Sequence, residues 1–218
     1  MNTDDLVQKL AHDLEPAVPL RRPAARASAW FAGAALYVAA LAIGMGFVNG
    51  YPDGVGVAFW AVQLAAIVTS LLASAAAFSS VIPGLSSRSY SLAVAAATLW
   101  LVLLAATSTV DADWSAVASA MHEWWCVGFI VAGGAPLLVV LARMLRRGAP
   151  LNPATTAAFA ALSVAALANV GACISLPHPN SAITLAWHGG VIAAATMGAA
   201  ACGRLLFFWR LAPKSTKG

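Results

Sequence analysis

His122-Glu123-Trp124-Trp125-Cys126, Asn169-Val170-Gly171-Ala172-Cys173, Pro177-His178 and Trp187-His188 hold most of the reactive side chains of this chain. Three of its 4 histidines and two of its 3 cysteines fall in these four short stretches. His122 and Cys126 stand four residues apart, as do Asn169 and Cys173, so on helices each pair stacks on one face. Two thiols with His122, His178 or His188 form a donor set suited to zinc or Cu(I). The thiols could instead pair as a disulfide in an oxidising compartment. Each residue also has a plainer reading, since cysteine packs as a small apolar side chain and His and Trp are frequent at membrane interfaces. Cys202 lies toward the far end of the last apolar stretch and reads as packing.

Those residues need elements to carry them. Of 218 residues, 61% are hydrophobic and 9% charged, which excludes an ordinary soluble domain. The apolar residues gather in runs close to the ~20 needed to cross a bilayer. Six spans are expected, at about 27–48, 56–79, 90–109, 122–143, 155–175 and 183–208. The fold class is therefore an all-α membrane protein, a bundle of six transmembrane helices. Turn formers mark the short connections, as in Ile82-Pro83-Gly84 and Pro177-His178-Pro179-Asn180. The connection around Asp111, Asp113 and Trp114 has room for a brief interfacial helix. No signal peptide is visible, because the first apolar run starts late and is followed by others.

All 12 Lys and Arg fall before the first span, in the second and fourth connections, or at the end of the last span. Asp53, Asp111 and Asp113 occupy the other side. The positive-inside rule then predicts that both termini are cytoplasmic. Residues 1–26 form the cytoplasmic N-terminal segment, 27–210 the transmembrane domain and 211–218 a tail. Within the first segment, Leu6, Val7, Leu10 and Leu14 recur at helical spacing opposite Asp5, Gln8, Lys9, His12 and Asp13, predicting a short amphipathic helix over 3–14. So short a helix needs a surface, either lipid or a partner protein. Pro16, Pro19 and Pro23 make the connector stiff, and Arg21, Arg22 and Arg26 charge it.

Inside the spans, Ser70-x-x-x-Ser74 and Ala199-x-x-x-Gly203 predict close helix approach. Gln63 and Asn169 are expected to hydrogen-bond between helices. Gly133-Gly134-Ala135-Pro136 predicts a kink in the fourth span, between Cys126 and the arginines. Enzyme signatures are missing: there is no C-x-x-C, zincin helix or phosphate loop, and no acid within a span apart from Glu123 at an edge. A small haem or redox protein using His122 and His188 is the alternative reading.

Two regions resemble a known family. Thr3-Asp4-Asp5-Leu6-Val7 with Leu10, Asp13 and the proline–arginine stretch to Arg22 is similar to the start of NrsF-type membrane anti-sigma factors. Leu145-Arg146-Arg147-Gly148-Ala149-Pro150 with Pro153, followed by Cys173 and Trp187, resembles the same family. The likeness covers nearly the whole chain. It implies a non-enzymatic protein of the bacterial inner membrane that holds an extracytoplasmic-function (ECF) sigma factor of the SigF type until stress releases it. By that resemblance Cys126 and Cys173 are the stress-sensing pair, and the helix carrying Leu6, Val7, Leu10 and Leu14 is the sigma-binding element, with Arg146 and Arg147 on a cytoplasmic loop. Membrane lipid and the sigma factor are the expected partners, with no direct contact to nucleic acid. No cofactor is obligatory, although Cu(I) or Zn(II) could be the signal. The family pattern has Pro after the second cysteine and Tyr after the Trp; here Ile174 and His188 stand there.

Overall fold

A computed structural model of the chain describes residues 2–12, 21–50, 56–82, 88–107, 124, 126–148, 150, 152–175 and 182–207. The described elements are α1 (Thr3–His12), α2 (Pro23–Asn49), α3 (Val57–Ser79), α4 (Arg88–Thr107), α5 (Cys126–Arg146), α6 (Pro153–Ser175) and α7 (Ala182–Leu206). All are helical, and α2 to α7 are each long and apolar enough to cross a membrane. The first of them begins at Pro23 rather than near residue 27. Proline suits a first helical turn, where its missing N–H has no partner to lose. Arg26 thereby enters the helix instead of the connector. The short helix expected around Asp111 lies outside the described residues.

The helices run alternately up and down. Arg26, Phe78, Tyr90, Arg146, Phe159 and Leu206, from the starts of α2, α4 and α6 and the ends of α3, α5 and α7, meet one another at one end. Tyr90 stacks on Phe159 with ring centroids 5.4 Å apart, and the Arg146 side chain donates to the Leu206 carbonyl at 2.8 Å. This arginine end lies opposite the end that carries Cys126, Cys173 and His188.

α6 is the centre, with 83% of its most apolar stretch buried. It packs on α2, α3, α5 and α7. Its residues are mostly Ala, Gly, Ser and Thr, which permit backbone approach from several directions at once. Against α3 the hydroxyls form a polar seam. Ser163 Oγ donates to the Ser70 carbonyl at 2.6 Å, and Ser80 Oγ lies 2.6 Å from Thr156 Oγ1. Toward the arginine end, Trp30, Phe78, Leu141, Leu145 and Phe159 belong to one apolar core. A second core, with Val62, Trp100, Val170 and Ile192, joins α3, α4, α6 and α7.

The Gly-Gly-Ala-Pro stretch of α5 does not act alone. Phe129–Gly133 forms a turn of π-helix directly before it. Pro136 has no N–H and would clash with the carbonyl four residues back, that of Ala132. That carbonyl lies in the π turn, where the widened ring accommodates it. Beside this turn, α5 and α7 diverge, leaving an apolar cavity of about 200 Å³ lined by Ile130, Gly134, Leu138, Val164, Val191 and Ala195.

Candidate thiol–imidazole site

α6 ends with Asn169 and Cys173 one turn apart, on the face that packs toward α7. α7 brings His188 to the same level. Cys173 is 8% exposed and His188 2%, and Cys173 Sγ lies 3.9 Å from His188 Nδ1, within hydrogen-bonding range for sulfur. Cys126 is fully buried at the start of α5, one turn before Ile130, which packs on Ala168 and Ala172 of α6. Above them Trp124 and Trp187 meet with centroids 5.2 Å apart and join α5 to α7. Both cysteines expected to sense are therefore buried at one end of the bundle, and no disulfide joins any two of the three cysteines.

The expected metal set is only partly within view. His122 and His178 lie outside the described residues, as does the proposed haem pairing of His122 with His188. Among the described residues no group of three or more His, Cys, Asp or Glu side chains is placed to hold a metal ion. What the described geometry supplies is a thiol beside an imidazole. Thiol and imidazole are both donors to soft and borderline metals, and the thiol is the group open to oxidation.

Two sequence expectations change here. Gln63 and Asn169 are buried as expected, yet Gln63 Oε1 and Asn169 Oδ1 have no hydrogen-bond partner among the described residues. Cys202 is exposed rather than packed. Its neighbour Gly203 takes the contact with α6, which turns Cys202 outward.

At the arginine end, Arg146 and Arg147 are exposed. α1 is helical over Thr3–His12. Of its expected apolar face, Val7 is exposed, the side chains of Leu6 and Leu10 are not described, and Leu14 lies outside the described residues. Two residues carry more than the sequence reading gave them. Trp100 sits mid-span and fully buried with Nε1 unpartnered, and Arg26 points into the bundle. A tryptophan far from a span end, and an arginine with Trp30 one turn on, are signals that a count of charges passes over.

Fold and site together define a helical membrane protein with a buried thiol–imidazole pair at one end and a cationic surface at the other. Residues 10–209 match the family NrsF, negative regulator of sigma F. The chain belongs to that family, one of regulators of a sigma factor, not of known enzymes. Comparison with curated proteins and with solved structures gives no match.

Proposed function

We propose that this chain holds an ECF sigma factor on the cytoplasmic side of the bacterial inner membrane and releases it when metal or oxidant reaches the cysteine end. Membership of a family of negative regulators of sigma F supports the holding role. The positive-inside rule supports a cytoplasmic arginine end and cytoplasmic termini. α1 then offers Leu6, Val7 and Leu10, with Leu14 beyond it, to the sigma factor. Cys126 and Cys173, with His188 and with His122 and His178, form the sensor. Cu(I) or Zn(II) would draw thiolates and imidazoles together. Alternatively, an oxidant would take two electrons from the two thiols, with loss of two protons, and leave a disulfide.

The observation that carries the sensing half is the Cys173–His188 contact, buried at the end opposite the arginines. α5 is the route between the ends. Cys126 is at its start, Arg146 and Arg147 are at its finish, and the π turn is the weak point between them. A helix drawn toward α6 at Cys126 would pivot there and shift the arginine loop.

The test is purification of the full chain with its sigma factor from native membranes, followed by addition of Cu(I), Zn(II) or peroxide. Sigma factor should co-purify with the full chain and not with a chain lacking residues 1–22. One of the additions should release it from the wild type but not from Cys126→Ser or Cys173→Ser. Release undiminished in both cysteine variants would sink the sensing half, and a full chain that captures no sigma factor would sink the holding half.

A further inference from the structure

At the arginine end, the inward face of α2 carries two buried donors without acceptors. Arg26 is 8% exposed and Trp30, one turn on, is 4% exposed. Arg26 Nη2 donates to the Met144 carbonyl near the end of α5, and the guanidinium lies over the Phe78 ring, 4.7 Å from its centroid. Its Nη1 and Trp30 Nε1 are both buried and have no hydrogen-bond partner. Each of these atoms can only donate. Buried donors are nearly always matched, and an unmatched charged one is the most costly kind. Two of them on adjacent turns of one helix mark a place where acceptors belong.

Among the described residues nothing supplies those acceptors. Among the described residues the acidic side chains are Asp4 and Asp5 of α1, and both are exposed. Arg147, near enough to act on Arg26 electrostatically, is also positive. Arg22, the N-cap of α2, makes no side-chain hydrogen bond to the helix, so the positive end of the helix dipole adds to the field.

Depth identifies the missing group. At about 1.5 Å per residue, Trp30 lies about 6 Å further along α2 than Arg26. The polar interface of a bilayer is about 5–7 Å thick on each side, with phosphates toward water and glycerol esters at the hydrocarbon edge. A glycerophospholipid therefore presents an anionic acceptor and a neutral acceptor at about the spacing of these two donors. A free phosphate has nothing to offer Trp30, and an acidic side chain carries no second acceptor a turn deeper. α2 and α5 are bridged here by the Arg26 side chain on the Met144 carbonyl and are not among the helix pairs in extended contact.

We propose that an anionic glycerophospholipid binds between α2 and α5 at the arginine end, with its phosphate on Arg26 and an ester carbonyl on Trp30 Nε1. The site is independent of the cysteines and of which leaflet the arginine end occupies. A lipid held there sits between the start of α2, which follows the N-terminal segment, and the end of α5, which carries Arg146 and Arg147.

Native mass spectrometry of the full chain tests this, using detergent micelles supplied with phosphatidylglycerol or phosphatidylethanolamine. The wild type should retain phosphatidylglycerol in preference to phosphatidylethanolamine. Arg26→Gln should weaken retention about tenfold or more, as expected for loss of a charge-assisted hydrogen bond. Trp30→Phe, which keeps the ring and removes only the N–H, should weaken it by a smaller factor, and it decides the matter if Arg26→Gln fails to fold. Arg143→Gln, at an exposed position on α5, should leave retention unchanged. Equal retention by wild type, Arg26→Gln and Trp30→Phe overturns the proposal. Displacement of the lipid by inorganic phosphate, or capture of a polyglutamate peptide with no lipid retained, also overturns it, in favour of a soluble anion or an acidic protein partner.

Discussion

Gly198 and Gly203 lie on the same helix, but only one of them is a contact. A Cβ on Gly203 would come within 2.6 Å of the Pro153 carbonyl oxygen and 2.7 Å of Ala154 Cα, whereas one on Gly198 meets nothing within 4 Å. Backbone cannot swing aside as a side chain can, so Gly203→Ala should destabilise the bundle by about 1–3 kcal/mol. Gly198→Ala should be neutral or stabilising by up to about 1 kcal/mol, through the lower chain entropy of alanine. Unfolding of the two detergent-solubilised variants by heat or denaturant would show the contrast, and equal melting temperatures would count against the close approach. His188 offers a second comparison. If the imidazole acts as a ligand, His188→Ala should blunt release by metal and leave disulfide formation by an oxidant, which needs only the thiols. A sigma-factor release assay with each signal in turn reads this directly. At this scale the sequence was partly legible. The gathering of Cys126, Cys173 and His188 at one end follows from spacing and span order. The inward turn of Arg26 and the outward turn of Cys202 do not, because they depend on which face of a uniformly apolar helix meets a neighbour.

Among the elements, composition located the spans and was silent on their ranks. The apolar stretches of α2, α5 and α6 share a mean hydropathy of 2.0, yet 22%, 28% and 83% of them are buried. In lipid, an apolar side chain gains little by facing protein rather than acyl chains, so hydropathy does not record which helix is central. Small residues do record it. The Ala and Ser run of α6 and its hydroxyl seam to α3 are the trace of that position. The π turn was half legible: Pro136 announced a disturbed ladder, but relief falls upstream, where the displaced carbonyl is. α1 carries the prediction that belongs here. If its apolar face docks the sigma factor, Leu10→Asp removes a burial contribution of about 1.5–3 kcal/mol. Binding should then weaken by about ten- to a hundredfold. Constitutive transcription of the sigma regulon, with the variant still present in membranes, is the expected readout. Unchanged repression would transfer the docking role to the loops carrying Arg88, Arg146 and Arg147.

For the molecule as a whole, the alternation of helix ends makes orientation a single choice, and the charges make it. Every described Arg within α2 to α7 lies toward one end, so a reporter fused after Gly218 should behave as cytoplasmic and one inserted near Pro179 as external. Protease trimming of the C-terminus on intact spheroplasts would reverse the assignment. The central place of α6 also bears on how the bundle is made. Helices leave the ribosome in order, so the one that four others pack against is synthesised next to last. α2, α3 and α4 can pair along the chain before it arrives. α5 cannot do the same, because its main neighbour is still to come. During synthesis it can meet α2, through Leu41 beside Gly133 and Arg26 on Met144, but the α6 face against which Gly134 packs is still missing. A pause in translation between Arg147 and Pro153, or a truncation there, would leave that half-assembled intermediate open to membrane quality-control proteases.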